Sequence, residues 1–157
     1  MIIAEGVKNL KIAILGLGRT GLSAFYSLRS GGAEVIGWDD NETIRNEAKS
    51  KGVKLLNLNK QYEWNGISNV IVSPGIPHLY PKPHPILSKA VAAGVPLDND
   101  IGVFFKTIAR NQIFKSKPSI VAVTGTNGKS TTCALISHIL QENNFSYQLA
   151  GNIGNAV

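Results

Sequence analysis

A glycine-rich loop that carries a lysine and hydroxyl side chains is the strongest chemical signal in the chain. It follows the apolar run Ile120–Val123 and precedes an apolar-periodic segment, so strand, loop and helix come in the order that a phosphate-binding loop requires. Glycine has no Cβ to keep backbone N–H groups from a polyphosphate, and the helix start adds a positive dipole end. The residues predicted to hold ATP are Gly125, Thr126, Asn127, Gly128, Lys129, Ser130 and Thr131.

Two side chains of this loop have predicted chemical roles. Lys129 can reach the β- and γ-phosphates of ATP, and the hydroxyl of Ser130 or Thr131 can coordinate Mg²⁺. We therefore take Lys129 as the candidate catalytic residue and Ser130 as the candidate metal ligand. The loop is shorter than the general G-x-x-x-x-G-K-[ST] pattern, because Val123 stands where that pattern has its first glycine. An ordinary glycine-rich turn is the alternative interpretation.

A second glycine pattern lies near the N-terminus. The buried strand predicted for Lys11–Leu15 runs directly into Gly16-Leu17-Gly18-Arg19-Thr20-Gly21, and a helix is predicted to follow. The next predicted strand, Ala33–Trp38, ends in Asp39 and Asp40. Asp39 lies 18 residues past Gly21, where a dinucleotide-binding fingerprint has its ribose-binding acid. The pattern favours a Rossmann-like nucleotide site, and a tight turn without a ligand is the alternative.

Polar residues also follow another predicted strand. Asn69–Val72 runs into Ser73-Pro74-Gly75, which places a hydroxyl and free backbone groups at the carboxyl edge of a parallel sheet, where ligands of open α/β sheets bind. A plain proline turn explains the same residues without a ligand. His78 and His84, in the loop that follows, are predicted to be exposed rather than metal ligands.

The order of elements predicts two domains. The fold class is α/β: a Rossmann-like parallel-sheet domain over residues 1–110, a polar and basic linker over 111–118, and the first βαβ part of a P-loop ATPase-like domain over 119–157. The second part is predicted to hold strands at 119–123 and 145–149 around a helix that ends near Asn143.

Composition limits the classes of protein that fit. A hydrophobic content of 43% and a charged content of 17% are typical of globular domains, and no apolar run approaches the roughly 20 residues that span a bilayer. The single Cys133 excludes an internal disulfide and fits a reducing cytosol. The net charge of +6 favours polyanionic ligands. Nucleotides suit the sequence better than nucleic acid, because no aromatic-rich basic strand motif accompanies the lysines.

Four motifs in order carry a resemblance to the Mur ligases: residues 16–21, Ser73-Pro74-Gly75-Ile76, residues 124–131 and Gly151-Asn152-Ile153-Gly154. The short phosphate loop is also similar to that of folylpolyglutamate synthetases. The resemblance covers essentially the whole chain but only about the first third of such an enzyme. One departure is Gly102, which replaces the acid in the family's usual Asp-Ile-Glu-hydrophobic-Phe.

The resemblance implies that the first domain holds the UDP part of a nucleotide-sugar acceptor. The pyrophosphate would meet Arg19, Thr20 and the backbone of Gly16, Gly18 and Gly21; the uridine would lie by Asp39 and Asp40; Ser73 and Gly75 would hold the diphosphate-sugar portion, and Asn152 the muramoyl-alanine end.

The activity implied is ATP- and Mg²⁺-dependent addition of D-glutamate to UDP-N-acetylmuramoyl-L-alanine through an acyl phosphate, in the cytoplasm, during peptidoglycan synthesis. The family's other metal ligands and its glutamate-binding domain would lie beyond Val157. We therefore expect the chain alone to be inactive and its second part to be prone to self-association. An NAD-dependent oxidoreductase and a non-catalytic nucleotide-binding module remain alternatives.

Overall fold

The computed structural model describes residues 2–60, 64–110 and 118–151. The chain divides into two compact units, Met1–Asn111 and Gln112–Ala156. In the part of the chain that is described, no helix is both long enough and apolar enough to cross a membrane.

The first unit is built on a sheet of five parallel strands in the order β3-β2-β1-β4-β5. The strands are β1 (Lys11–Leu15), β2 (Glu34–Trp38), β3 (Lys54–Leu55), β4 (Ile67–Val72) and β5 (Leu97–Asp98). The strand order changes direction between β1 and β4, so a crevice is expected beyond the carboxyl ends of these two strands. The sheet confirms the predicted α/β class.

Helices connect the strands, and local signals explain where several of them begin. They are α1 (Arg19–Ser30), α2 (Glu42–Ser50), α3 (Pro85–Ala92) and α4 (Asp100–Arg110) in the first unit, and α5 (Lys129–Glu142) in the second. The Asn41 side chain caps α2 by accepting from the Thr43 N–H at 2.9 Å. Pro85 occupies the first turn of α3, where its missing N–H costs nothing.

Alternation along β1 sends side chains into two cores, one on each face of the sheet. Ile12 and Ile14 pack with Phe25 of α1 on one face. Leu15 packs with Ile86 of α3 on the other. Each of these side chains is almost completely buried, and burying one stabilises the fold by about 1.5–3 kcal/mol. The two cores hold the sheet rigid beneath the loops at its carboxyl edge.

The second unit differs from the prediction in its strands. Residues 118–123 and 145–149 are not assigned to strands. A strand needs a neighbour to accept its hydrogen bonds, and the described residues of this unit provide none. Helix α5 does form, and it ends one residue before the predicted limit. Leu135 and Ile139 of this helix are 59% and 60% exposed, so the apolar spacing that predicts the helix buries little here.

Two further predictions need correction. Gly21 lies inside α1, which begins at Arg19 rather than after the glycine pattern. His84 is not an exposed loop residue: its side chain is only 14% exposed and caps the start of α3. The reason is local, since the imidazole Nδ1 accepts a hydrogen bond from the Ile86 N–H at 3.3 Å.

Candidate functional site

The loop after β1 is shaped by close backbone approach. Gly16 has φ +90°, a left-handed conformation that favours glycine, and its N–H donates to the Trp38 carbonyl at 2.8 Å. A Cβ on Gly21 would collide with the Gly16 carbonyl oxygen, so α1 can pass this close to the loop only with glycine there. Both glycines are therefore required by the fold itself.

Gly18 differs from its two neighbours in the pattern. It is exposed, its φ is −65°, and a Cβ built on it would meet nothing within 4 Å. It is the N-cap residue of α1, with no side-chain cap and no acidic residue in the first turn. The first N–H groups of a helix, at the positive end of its dipole, can bind a phosphate. Gly18 thus leaves space for a ligand rather than for another part of the protein. Arg19 and Thr20 open the same turn.

Ser73 joins the loop after β4 to the loop after β1. Its hydroxyl donates to the Gly16 carbonyl at 2.8 Å, and its N–H donates to the Leu15 carbonyl at 2.9 Å. The hydroxyl proton is therefore used within the protein, which leaves the oxygen lone pairs for a ligand donor. Gly75 is exposed, and a Cβ built on it would meet nothing within 4 Å. These two residues border the β1–β4 crevice from the β4 side.

The Asp39 carboxylate accepts hydrogen bonds from the backbone of two loops. One carboxylate oxygen accepts from the Leu17 N–H at 2.8 Å, and the other accepts from the Asn41 N–H at 2.9 Å. Each oxygen keeps a second lone pair, so a ribose hydroxyl could still donate to it. In the protein alone, the acid predicted to bind ribose ties the glycine loop to β2.

Asp40 is also held from several sides. Its carboxylate accepts from the Trp38 indole N–H at 3.1 Å and lies 2.8 Å from His84 Nε2. The hydrogen bond from His84 is the main cause that lowers the pKa of the Asp40 carboxyl, and the one from Trp38 adds to it. Arg45 donates to the carbonyls of Asp39 and Asp40, at 2.7 and 2.9 Å, and its guanidinium lies 4.7 Å from the centre of the Trp38 ring.

The phosphate loop of the second unit has the backbone that its glycines predict. Gly125 has φ +147°, and Gly128 has φ +75° as the N-cap residue of α5. The Lys129 ammonium donates to the carbonyls of Gly125 and Thr126, so it lies back along the loop. Residues 124–131 are all exposed. A helix start without a side-chain cap, with a lysine at its first residue, has the groups that bind a polyphosphate.

The metal prediction depends on a single side chain of this loop. Among residues 2–60, 64–110 and 118–151, no group of three or more His, Cys, Asp or Glu side chains could hold a metal ion. Mg²⁺ bound to a nucleotide commonly takes only one or two ligands from the protein and the rest from phosphate and water. The exposed Ser130 at the start of α5 suits that donor set.

The chain is similar in sequence to ligases from several bacteria. A UDP-N-acetylmuramoylalanine--D-glutamate ligase of Cereibacter sphaeroides is 48% identical over 159 aligned positions, which are 100% of this chain and 34% of that enzyme. The ligases of the same name from Ruegeria pomeroyi and Roseobacter denitrificans are 51% and 50% identical over the same shares. The chain resembles these ligases over its whole length. The predicted resemblance to the Mur ligases is thereby confirmed, and the chain spans about a third of the length of these relatives.

No family model matches the chain. A solved shikimate dehydrogenase from Aquifex aeolicus is similar over 64% of this chain and 46% of its own length, at 17% identity and a TM-score of 0.49. A likeness at that level carries no information about function.

The first unit brings to one edge of its sheet most of the residues that are predicted to bind the nucleotide-sugar acceptor. Gly16, Gly18, Asp39 and Ser73 follow the carboxyl ends of β1, β2 and β4. The bonds of Asp39 to Leu17 and of Ser73 to Gly16 join the loops after β2 and β4 to the loop after β1. Asn152 lies outside the described residues.

Sequence reasoning missed two side chains at this edge, Arg45 and His84. Each had a local signal. Arg45 stands four residues after the cap Asn41, and His84 precedes a proline at the start of an apolar helix.

Proposed function

We propose that the chain is the N-terminal part of an ATP-dependent ligase that joins D-glutamate to UDP-N-acetylmuramoyl-L-alanine. The observation that carries the proposal is the presence of two different phosphate-type loops in one chain, residues 16–21 beyond β1 and residues 125–131 at the start of α5. An acceptor nucleotide and ATP would each need one. The names of the relatives support this pair of substrates and a role in peptidoglycan synthesis.

In this proposal the first unit binds the acceptor. The diphosphate lies on the open start of α1 beside Gly18, Arg19 and Thr20, and its oxygens accept from the N–H groups there. The uridine lies by Asp39 and Asp40. Ser73 and Gly75 border the sugar portion, and Asn152 is proposed to reach the muramoyl-alanine end.

The second unit is proposed to bind ATP and Mg²⁺. When bound, ATP supplies the phosphoryl group that activates the acceptor carboxylate, and inorganic phosphate leaves when the amine of D-glutamate attacks. Lys129 would turn from the carbonyls of Gly125 and Thr126 to the β- and γ-phosphates and offset the charge of the phosphoryl group in transfer. Ser130 would donate its hydroxyl oxygen to Mg²⁺. The reaction is proposed to take place in the cytoplasm.

The chain by itself is proposed to bind nucleotide without completing the reaction, because its relatives are about three times as long. The test is ADP release with ATP, UDP-N-acetylmuramoyl-L-alanine and D-glutamate, and we expect no substrate-dependent release. Turnover that requires all three substrates would contradict this part of the proposal.

The acceptor site is tested by an NMR titration of the chain with UDP and, separately, with NAD. We expect UDP to shift the amide signals of residues 16–21, Asp39 and Ser73, and NAD to shift them less. Gly18→Val should fold normally, because a Cβ at residue 18 meets no protein atom, but should lose the response because the side chain fills the approach to the helix start.

Ala92→Val is a matched control, since Ala92 is exposed at the last residue of α3. It adds the same kind of side chain at the end of α3 opposite His84 and should leave the UDP response unchanged. Stronger binding of NAD than of UDP at the same amides would favour an oxidoreductase and overturn the ligase.

A further inference from the structure

His84 makes two different hydrogen bonds, one from each ring nitrogen. Nδ1 accepts from the Ile86 N–H at 3.3 Å and thereby caps α3. Nε2 lies 2.8 Å from a carboxylate oxygen of Asp40, which is 44 residues away in the sequence. The side chain is 14% exposed, so the ring is fixed between these two partners. A helix cap requires the first contact only.

The two contacts are compatible in one form of the ring. A nitrogen that accepts from a backbone N–H carries no proton, so in the neutral ring the proton is on Nε2. That proton points to the Asp40 carboxylate, which can only accept when it is ionised. The cap on α3 therefore selects the tautomer that donates to Asp40.

The bond from His84 joins two loops on either side of the glycine loop. Asp40 belongs to the loop after β2, and His84 ends the segment that begins with Ser73 after β4. The backbone N–H of His84 donates to the Pro77 carbonyl at 2.9 Å, which closes a loop within that segment. In the sheet, β2 and β4 are the two neighbours of β1. A shift of either loop would change the width of the crevice in front of Gly18.

Asp40 keeps room for a ligand in spite of its partners. Its side chain is 63% exposed, and Trp38 and His84 each occupy one lone pair of a different oxygen. Arg45 meanwhile holds the carbonyl groups of Asp39 and Asp40 rather than their carboxylates. His84 is thus the one described partner of the Asp40 side chain that comes from the β4 loop.

We propose that His84 is a positioning residue of the nucleotide site, which holds the Asp40 carboxylate and the β2 loop in register with the β4 loop. It does not touch the nucleotide. The inference rests on the proposed binding of UDP at this edge of the sheet, and it adds that UDP affinity depends on the bond between His84 and Asp40.

The experiment separates the two bonds of His84. In His84→Asn the shorter side chain can still cap α3, because asparagine is among the best N-cap residues, but it does not reach Asp40. We expect the chain to keep its melting temperature and the Kd for UDP, measured by NMR titration, to rise about twofold to fivefold. In His84→Gln the longer amide can donate to Asp40 without capping α3 well, so the Kd should stay near that of the wild type while the melting temperature falls.

A matched control and a double variant complete the test. Glu34→Gln removes the ion pair between Glu34 and Lys54, 3.0 Å apart, at the opposite end of the same strand β2. The Glu34 carboxylate is about as exposed as that of Asp40, 53% against 63%, and its loss should leave the Kd unchanged. If His84 acts through Asp40, His84→Asn should add no further loss in an Asp40→Asn background.

Three results would overturn the inference, and they differ in what else they imply. A wild-type Kd in His84→Asn would show that the residue is only a helix cap, with the proposed function intact. Additive losses in the double variant would show that His84 acts by another route. Failure of the wild-type chain to bind UDP would overturn the proposed function together with the inference.

Discussion

The two units carry similar glycine loops, but they differ in how much buried structure surrounds the loop. In the first unit, the buried apolar side chains of the described residues lie between Ala4 and Ile108, and all but Ile108 belong to two cores around a sheet. In the second, none of residues 118–151 is buried. A glycine loop and the helix after it can therefore form from local geometry, as Gly125 and Gly128 show, while strands and cores depend on partners far away in sequence.

The loops themselves differ in the same way. The Gly16 loop is fixed by bonds to the ends of two neighbouring strands, β2 through Trp38 and Asp39 and β4 through Ser73. The described bonds of the Gly125 loop join residues within about one helical turn, such as Lys129 to Thr126 and Thr132 to Gly128. The first loop is held in shape by long-range contacts, and the second by bonds among its own residues and the first turn of α5.

The largest expected effect is a difference in hydrogen exchange between the two units. Amides of β1, β2 and β4 should exchange on the order of a thousandfold more slowly than those of α5, because their opening requires disruption of the sheet. Hydrogen exchange with mass spectrometry at several protein concentrations measures this difference. If exposed Leu135 and Ile139 drive self-association, protection of α5 should rise with concentration. Equal, concentration-independent protection of both units would contradict the comparison.

The next largest expected effect is on folding. It appears when the same substitution is made at two glycines of one loop. Gly21→Val should destabilise the first unit by about 1–3 kcal/mol or prevent its folding, since the new Cβ would collide with the Gly16 carbonyl. Gly18→Val should change stability far less, because nothing lies near its Cβ. Thermal unfolding of both variants is the measurement. Equal melting temperatures would show that the close contact at Gly21 relaxes easily.

This contrast also shows how much the sequence could predict. Gly16 and Gly21 were recognisable because a strand, a glycine pattern and a helix in succession allow few backbone paths. The end of β2 just before Asp39 was predictable for the same reason. The bond between His84 and Asp40 was not, because it depends on the sheet order that places the end of β2 near the start of α3.

At residues 119–123, by contrast, the sequence predicts a strand that the structure does not assign. Its β-branched run has the right local preference, yet the residues are mostly exposed and unpaired with any described strand. Strand preference reflects packing against neighbours more than the backbone itself, so a segment without a described neighbour does not show it.

A smaller effect concerns the titration of Asp40. The hydrogen bond from His84, with that from Trp38, holds the carboxyl pKa below its usual range. Asp40 therefore contributes stability above the ordinary aspartate pKa of about 4, and this is lost as the pH falls through the lowered value. Because the side chain is largely exposed, the contribution is below about 1 kcal/mol. A carboxyl-carbon NMR titration should give Asp40 a lower pKa in the wild type than in His84→Asn, and equal values would mean that the bond does not persist in solution.

The smallest expected effect tests whether the two loops serve different ligands. Lys129 contacts only carbonyls of its own loop, Gly125 and Thr126, among the described hydrogen bonds. Lys129→Ala should therefore shift the amide signals of residues 125–131 and leave the Kd for UDP within about twofold of the wild type, as expected for independent sites. The same variant should weaken any response of residues 125–131 to ATP, since it removes the charge proposed to meet the phosphates. A loss of UDP affinity as steep as the loss of the ATP response would mean that one ligand uses both loops, and the assignment of the acceptor to the first unit alone would fail.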